Sequence, residues 1–265
     1  MADSPIIAER DGEVALLTIN RPEVHNALNA ATLRRLGDAV RDLTSSGAVG
    51  AIVITGSGDR AFSAGADLDE LSRLDAQRAQ GVLWAGQRVM AEIERNPVPV
   101  IAAVNGVALG GGFELVLSTA FLVLSERASF GLPESGLGLI PGYGGTQRLP
   151  RVVGSPVAAH LMLTGSRLSA ERAYGLGLTP LEPVRPEELL PTVKRVARDI
   201  AARGPRAHAS IMRALRAGAP GEQELAFETA LAAIATAGAE AAEGMAAFKE
   251  RRKPSFPPVQ RVNGR

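Results

Sequence analysis

The chain has 265 residues, 46% of them hydrophobic, and its 29 basic against 28 acidic side chains leave a net charge of +1. That is enough chain for one large domain or a domain with an appendage, and it is too neutral for a general attraction to nucleic acid or an anionic membrane. The absence of cysteine excludes disulfides, thiolate nucleophiles and cysteine-bound metals.

The opening stretch, MADSPIIAERDGEVALL, places acids before any apolar run and lacks the basic and apolar regions of a signal peptide, so a cytoplasmic protein is expected. Glu13 to Asn20 reads as a strand. RPEVHNALN then leads into a helix capped by Asn29 or Thr32, which runs to about Ser46 with Leu33, Leu36, Val40 and Leu43 as its apolar stripe. Ala51 to Thr55 is a second buried strand closed by a GSGD turn. In AFSAGADLDEL a few extended residues meet a helix start with Asp67 and Asp69 in its first turn.

The same grammar returns in PVIAAVNGVALGGGFELVLSTAFLVLSERASFGLPE. A β-branched run from Val98 to Val104 reaches Gly110 to Gly112, and the hydrophobic period then changes from strand to helix, giving a short buried helix from Gly111 to Thr119. Phe121 to Ser125 with Ala128 to Leu132 makes a looser strand pair, and the recurrence predicts stacked β-β-α turns. Val98 to Leu117 approaches the length of a membrane span, but Asn105, Glu114 and the adjacent glycines make it a buried strand and helix instead.

The helix start is where chemistry is expected. Its first N–H groups have no partner inside the helix, and Glu114, three residues after Gly111, falls on nearly the same face as the Gly111 N–H. A second carboxylate, Glu134, follows Pro133 in the tight segment SFGLPES. A backbone donor beside two carboxylates suits proton transfer next to a carbonyl whose oxygen gains charge. The bland alternative is a glycine-rich turn, an acid favoured at a helix N-terminus and a solvated loop glutamate.

After GLGLIPGYGGTQRLPRVVG, helical from about Thr146, SPVAAHLMLTG and LSAERAYGLG read as two short helices closed by glycine. From Pro186 the pattern is helical, with a boundary expected near Gly204 between an α/β core (1–204) and a helical tail (205–265) whose last, proline-rich residues fray. The three histidines, His25, His160 and His208, have no metal-ligand spacing, and no metal site is expected. No G-x-S-x-G, G-x-G-x-x-G or G-x-x-x-x-G-K-[ST] occurs. Trp84, with Leu83 and Met90, reads as core or as the wall of an acyl pocket.

Taken together, AFSAGADLDEL, PVIAAVNGVALGGGFELVL, SFGLPESGLGLIPGYGGTQRLPRVVG and EGMAAFKERRKPSF resemble the enoyl-CoA hydratase/isomerase (crotonase) family, in order from about Val14 to Phe256. The resemblance implies a spiral of β-β-α turns, a C-terminal helical region that makes trimers, usually paired into hexamers, and an acyl-coenzyme A substrate with no separate cofactor. It assigns the Ala66 and Gly111 N–H groups to the thioester oxygen, Glu114 and Glu134 to catalysis, and the Gly142 N–H to the reacting water. Ala64, Ala66, Asp67 and Leu68 match the stretch that meets coenzyme A, and Arg21 and Val24 lie in a loop corresponding to another such contact. Hydration of a trans-2-enoyl-CoA is the activity implied, with Glu134 expected as the acid and Glu114 as the carboxylate. The alternatives are a Δ3,Δ2-enoyl-CoA isomerase or another acyl-CoA lyase, which need not keep both glutamates, and a non-catalytic binding protein of the same fold. RNA binding is disfavoured by the near-neutral charge. Two departures stand out: Asp69, where a lysine is frequent, and Phe113, where a small residue is common and which is expected to alter the acyl pocket.

Overall fold

A computed structural model describes residues 4–215 and 221–256. The chain opens with β1 (Ile6–Asp11), β2 (Val14–Ile19), α1 (Ala30–Ser45), β3 (Ala51–Gly56), β4 (Ala61–Ser63), α2 (Leu68–Leu71) and α3 (Ala76–Glu94). The middle holds β5 (Val100–Val104), β6 (Val107–Leu109), α4 (Gly111–Leu117), β7 (Phe121–Leu124), β8 (Ser129–Gly131) and α5 (Gly145–Val153). Then come α6 (Ser155–Thr164), β9 (Leu168–Ser169), α7 (Ala170–Gly175), α8 (Leu189–Ala201), α9 (Pro205–Leu215), α10 (Glu222–Thr236) and α11 (Ala239–Lys249).

Two sheets form, β1-β2-β3-β5-β7 and β4-β6-β8-β9, and from β3 to β8 successive strands are dealt alternately between them. Pairing is parallel except at the outer strands β1 and β9. Each crossing from one sheet to the other adds a turn to a spiral, which is the α/β architecture expected from the recurrent β-β-α grammar. Side-chain amides brace the corners: Asn26 donates to the Ser57 and Ala61 carbonyls at 2.9 and 2.8 Å, and Asn105 donates to Gly58 at 2.8 Å while accepting from the Gly56 N–H.

Strands β2, β3, β5 and β7 of the first sheet are buried on both faces, which is why they read as almost unbroken apolar runs. Leu17, Ile19, Ile52, Ile54, Ala102, Val104, Leu122 and Leu124 join the main core with α1, α3 and α4. Their alternates, Val14, Leu16, Ala51, Val53, Ile101, Ala103 and Val123, pack instead on Leu189, Val193 and Ala197 of α8. Asn29 is the cap of α1, its side chain accepting from the Thr32 N–H at 2.8 Å.

Among the elements not foreseen from sequence are β1 and α3. The mostly exposed β1 pairs with β2 in an antiparallel hairpin, and α3, whose apolar positions alternate with arginines and glutamines, is the longest helix described. Phe113 does not reach the acyl pocket: it is fully buried, with its ring 5.1 Å from that of Phe130. Trp84 is neither core nor pocket wall, since it is 41% exposed and lines a broad surface depression of about 800 Å³ with Arg41, Arg88 and Arg95. The chain beyond Phe256, including most of the proline-rich end, lies outside the described residues.

The approach of α4 to β4 is the contact that sets the site. A Cβ added at Gly112 would fall 2.4 Å from the Ser63 carbonyl oxygen and 2.8 Å from its Cβ, so a glycine is required for the helix to lie this close. Gly112→Ala is expected to lower stability by about 1–3 kcal/mol through overpacking. Urea unfolding checks this, and an unchanged midpoint would count against the close approach.

Candidate active site

An apolar cavity of about 270 Å³ opens between the two sheets' α4 end and the C-terminal helices, with Leu71, Leu83, Leu139, Ile140 and Phe248 among its walls. Ala64, Ala66, Leu68, Gly111, Glu114, Glu134 and Gly142 line it together. These residues span nearly eighty positions of sequence, and the spiral brings them to one place.

The two proposed donors lie side by side. A Cβ at Gly65 would stand 3.2 Å from the Gly111 nitrogen, and one at Gly111 would stand 3.4 Å from the Ala66 nitrogen. Leu28 gives its N–H to the Gly65 carbonyl and takes the Asp67 N–H, passing over that of Ala66. Gly111 is the first residue of α4, so its N–H has no partner in the helix. Among the described residues neither N–H has an acceptor. Any side chain at Gly111 would also meet the Tyr143 ring at 2.9 Å. Gly65, at φ +98°, must be glycine as well, because a Cβ there would stand 2.6 Å from the Leu109 carbonyl oxygen.

Glu114 is buried on α4, and its Oε1 accepts from the Tyr143 and Gly145 N–H groups at 2.7 Å each. Burial raises its pKa well above the ordinary range, the negative charges of Glu228 and Glu134 add to the rise, and the two N–H bonds oppose it. Glu134 begins a short 3₁₀ turn, Glu134–Leu137, with Oε1 close enough to Gly110 that a Cβ there would meet it at 2.8 Å. The residue is partly exposed, yet its Oε2 is buried without a hydrogen-bond partner among the described residues. Burial lifts Glu134 to about 7, with its own backbone N–H opposing and the Glu228 charge adding to the rise.

Sequence reasoning missed a third buried carboxylate, Glu228 on α10, which is 1% exposed. Its Oε1 accepts from the Gly144 N–H and from Gln87 Nε2, and its Oε2 from the Thr146 N–H and hydroxyl. A signal was present: Glu228 is the one acid in the largely apolar stretch from Leu225 to Ile234. Burial raises its pKa, against the pull of these donors.

Other expected contacts fall off the cavity wall. Asp67 caps α2 by accepting from the Asp69 and Glu70 N–H groups and pairs with Arg21 at 3.2 Å, while Val24 is 40% exposed. Asp69 pairs with Lys249 of α11 at 2.7 Å. Among the described residues no cluster of histidine, aspartate and glutamate suits a metal ion, and no single helix is long and apolar enough to cross a membrane.

A spiral of β-β-α turns whose paired N–H donors face two carboxyls across an apolar cavity defines a site for proton transfer beside a carbonyl. The chain belongs to the enoyl-CoA hydratase/isomerase family, whose profile matches residues 9–258. It is 43% identical to a crotonyl-CoA hydratase of Syntrophomonas wolfei over 97% of this chain and 99% of that protein. It is 38% identical to a short-chain-enoyl-CoA hydratase of Clostridium acetobutylicum over 94% of this chain and 95% of that one. The crystal structure of an enoyl-CoA hydratase from Mycobacterium avium subsp. paratuberculosis superposes with a TM-score of 0.86 at 27% identity, covering 96% of this chain and 98% of that one.

The Glu134 carboxyl is expected to lose its proton near pH 7, seen as loss of a protonated-carboxyl infrared band that Glu134→Gln lacks. Because its folded pKa lies above the ordinary 4.5, the folded chain holds a proton that the unfolded chain has lost. Its contribution to stability therefore falls as pH rises from about 4.5 to about 7. A Glu134-dependent band already gone at about pH 5 would contradict the burial argument.

Proposed function

We propose that the protein hydrates trans-2-enoyl-CoA thioesters to 3-hydroxyacyl-CoA. The observation that carries this reading is the pair of acceptor-free N–H groups, Ala66 and Gly111, on the same cavity as the carboxyls of Glu114 and Glu134. The names of the similar proteins, crotonyl-CoA hydratase and short-chain-enoyl-CoA hydratase, point the same way.

In this reading the thioester oxygen accepts from both N–H groups, and charge that moves onto it as an enolate forms is held more strongly than the ground-state carbonyl. Glu114, whose carboxylate form is favoured by two backbone donors, takes a proton from the water that adds at C3. Glu134 supplies the proton at C2. The pair then exchanges one proton to regain its starting state. The Gly142 N–H holds the water, and no cofactor or metal takes part, coenzyme A being a part of the substrate.

Ala64, Ala66, Asp67 and Leu68, with Arg21 and Val24, are assigned to the coenzyme A portion. Asp67 makes that contact through its backbone, because its carboxylate is occupied by the α2 cap and by Arg21. The cytoplasmic location expected from the sequence is kept.

Purified protein offered crotonyl-CoA should lose the conjugated-enoyl absorbance and yield the 3-hydroxyacyl product. Glu114→Gln and Glu134→Gln should each lower kcat by on the order of 10²- to 10⁴-fold. One of the two variants is expected to retain part of the exchange of the C2 proton with solvent deuterium, which needs one base where hydration needs both groups. A wild type that isomerises a 3-enoyl-CoA and never adds water would transfer the assignment to the isomerase, and thioesters that bind unreacted would point to a binding protein.

The same reading takes residues 205–265 as a trimerisation region, with trimers or hexamers in solution. Of the apolar residues of α10 and α11, Leu225 and Met245 are buried within the chain, but Phe227, Leu231, Ile234 and Phe248 are 64%, 43%, 68% and 62% exposed. Light scattering is expected to give three or six times the 27.6 kDa chain mass, and a monomer at micromolar concentration would refute it.

A further inference from the structure

Four consecutive backbone N–H groups, from Tyr143 to Thr146, are divided between two buried carboxylates. Tyr143 and Gly145 donate to Glu114, and Gly144 and Thr146 donate to Glu228. The alternation is possible because Gly144 takes φ +99° as the residue before α5, which turns neighbouring N–H groups to opposite sides. The turn that holds one catalytic carboxylate is thus itself held from the other side by a second carboxylate. Glu228 is not on the cavity wall, so it touches no substrate.

We propose that Glu228 is a positioning residue for the reaction: it clamps the 142–146 turn and thereby aims the Gly142 N–H into the cavity and the Tyr143 and Gly145 N–H groups at Glu114. The clamp is cross-braced. Gln87 of α3 donates to Glu228 Oε1 at 3.1 Å, and the buried Arg148 donates to the Tyr143 carbonyl at 2.8 Å while pairing with Glu94 at 2.8 Å. Both braces anchor the turn to α3, and Glu228 anchors it to α10. A carboxylate is the group suited to this task, since its two oxygens accept from two backbone N–H groups and two side-chain donors at once.

Glutamine has the same shape and lacks that capacity. If its amide nitrogen faced Gly144, Gln87 could rotate and satisfy it with the Oε1 that now has no partner, but the Gly144 N–H would lose its acceptor. If the nitrogen faced Thr146, the hydroxyl could accept and the Thr146 N–H would be stranded. Either way one buried N–H is left facing a donor, and the turn shifts to relieve it.

The inference rests on the hydratase reading for its kinetic test, so two measurements are paired. For hydration of crotonyl-CoA, Glu228→Gln is expected to lower kcat on the order of 10- to 100-fold with KM within about threefold, because misplacing a reacting group affects turnover and leaves thioester binding intact. Glu228→Asp, which keeps the charge, should fall between. Independently of turnover, amide hydrogen exchange at residues 143–146 should accelerate at least about tenfold in Glu228→Gln and less in Glu228→Asp. Folded variants with wild-type kcat and wild-type exchange would overturn the proposal, as would a loss of folded protein with unchanged activity per folded molecule. A wild type inert toward crotonyl-CoA would instead overturn the hydratase reading, leaving exchange to decide the role of Glu228. Should neither Glu228 variant fold, Thr146→Val decides: a several-fold fall in kcat with faster exchange at 143–146 supports the clamp, and wild-type values for both refute it.

Discussion

Everything at the site depends on the burial of carboxylates that the backbone compensates. Taking an ionised carboxylate out of water costs several kcal/mol unless its lone pairs are met by donors. Here Glu114 and Glu228 divide the N–H groups of Tyr143 to Thr146, and those donors lie at the N-terminal end of α5, where the helix dipole also favours negative charge. Because Glu114 comes from α4, Glu228 from α10 and Gln87 from α3, satisfying the carboxylates fixes three helices around one turn. The C-terminal helices therefore complete the site: α10 supplies Glu228, and Thr236 of α10 and Phe248 of α11 lie on the cavity wall.

The donor pair has a different origin. Ala66 and Gly111 belong to separate turns of the spiral, and they meet because Gly65, Gly111 and Gly112 let backbone and ring atoms approach where a Cβ would not fit. A local rule, that a helix start leaves N–H groups free, was enough to single out Gly111. Nothing local says that a second N–H stands beside it. That follows from the parallel pairing of β4 with β6, which carries the segments after both strands to the same sheet edge.

Legibility from sequence follows the same division. Strands β2, β3, β5 and β7 were readable because burial on both faces leaves them almost wholly apolar, and α1 was readable from its stripe and its Asn29 cap. The helix α3 was passed over since arginines and glutamines interrupt its apolar positions, and β1 since it is largely exposed. Glu114 and Glu134 stood out by their places in short motifs, whereas Glu228 makes its bonds across 82 to 141 positions of sequence, a separation at which no spacing rule speaks. The unusual Phe113 illustrates the converse. A residue adjacent to Glu114 in a helix points about 100° away from it, and here that direction is the Phe130 core.

The two carboxyls on the cavity differ in what surrounds them, and the proposed roles follow that difference. Glu114 accepts two N–H bonds at a single oxygen, a setting that steadies its charged form against the burial that opposes it. Glu134 Oε2 has no hydrogen-bond donor among the described residues, and the residue lines the cavity, which is the setting the proposed proton donor requires. The nearby charge of Glu228 penalises ionisation of both. The acid and base roles proposed for two residues of one type therefore rest on where the donors fall: two backbone N–H groups on one oxygen of Glu114, and none on Glu134 Oε2.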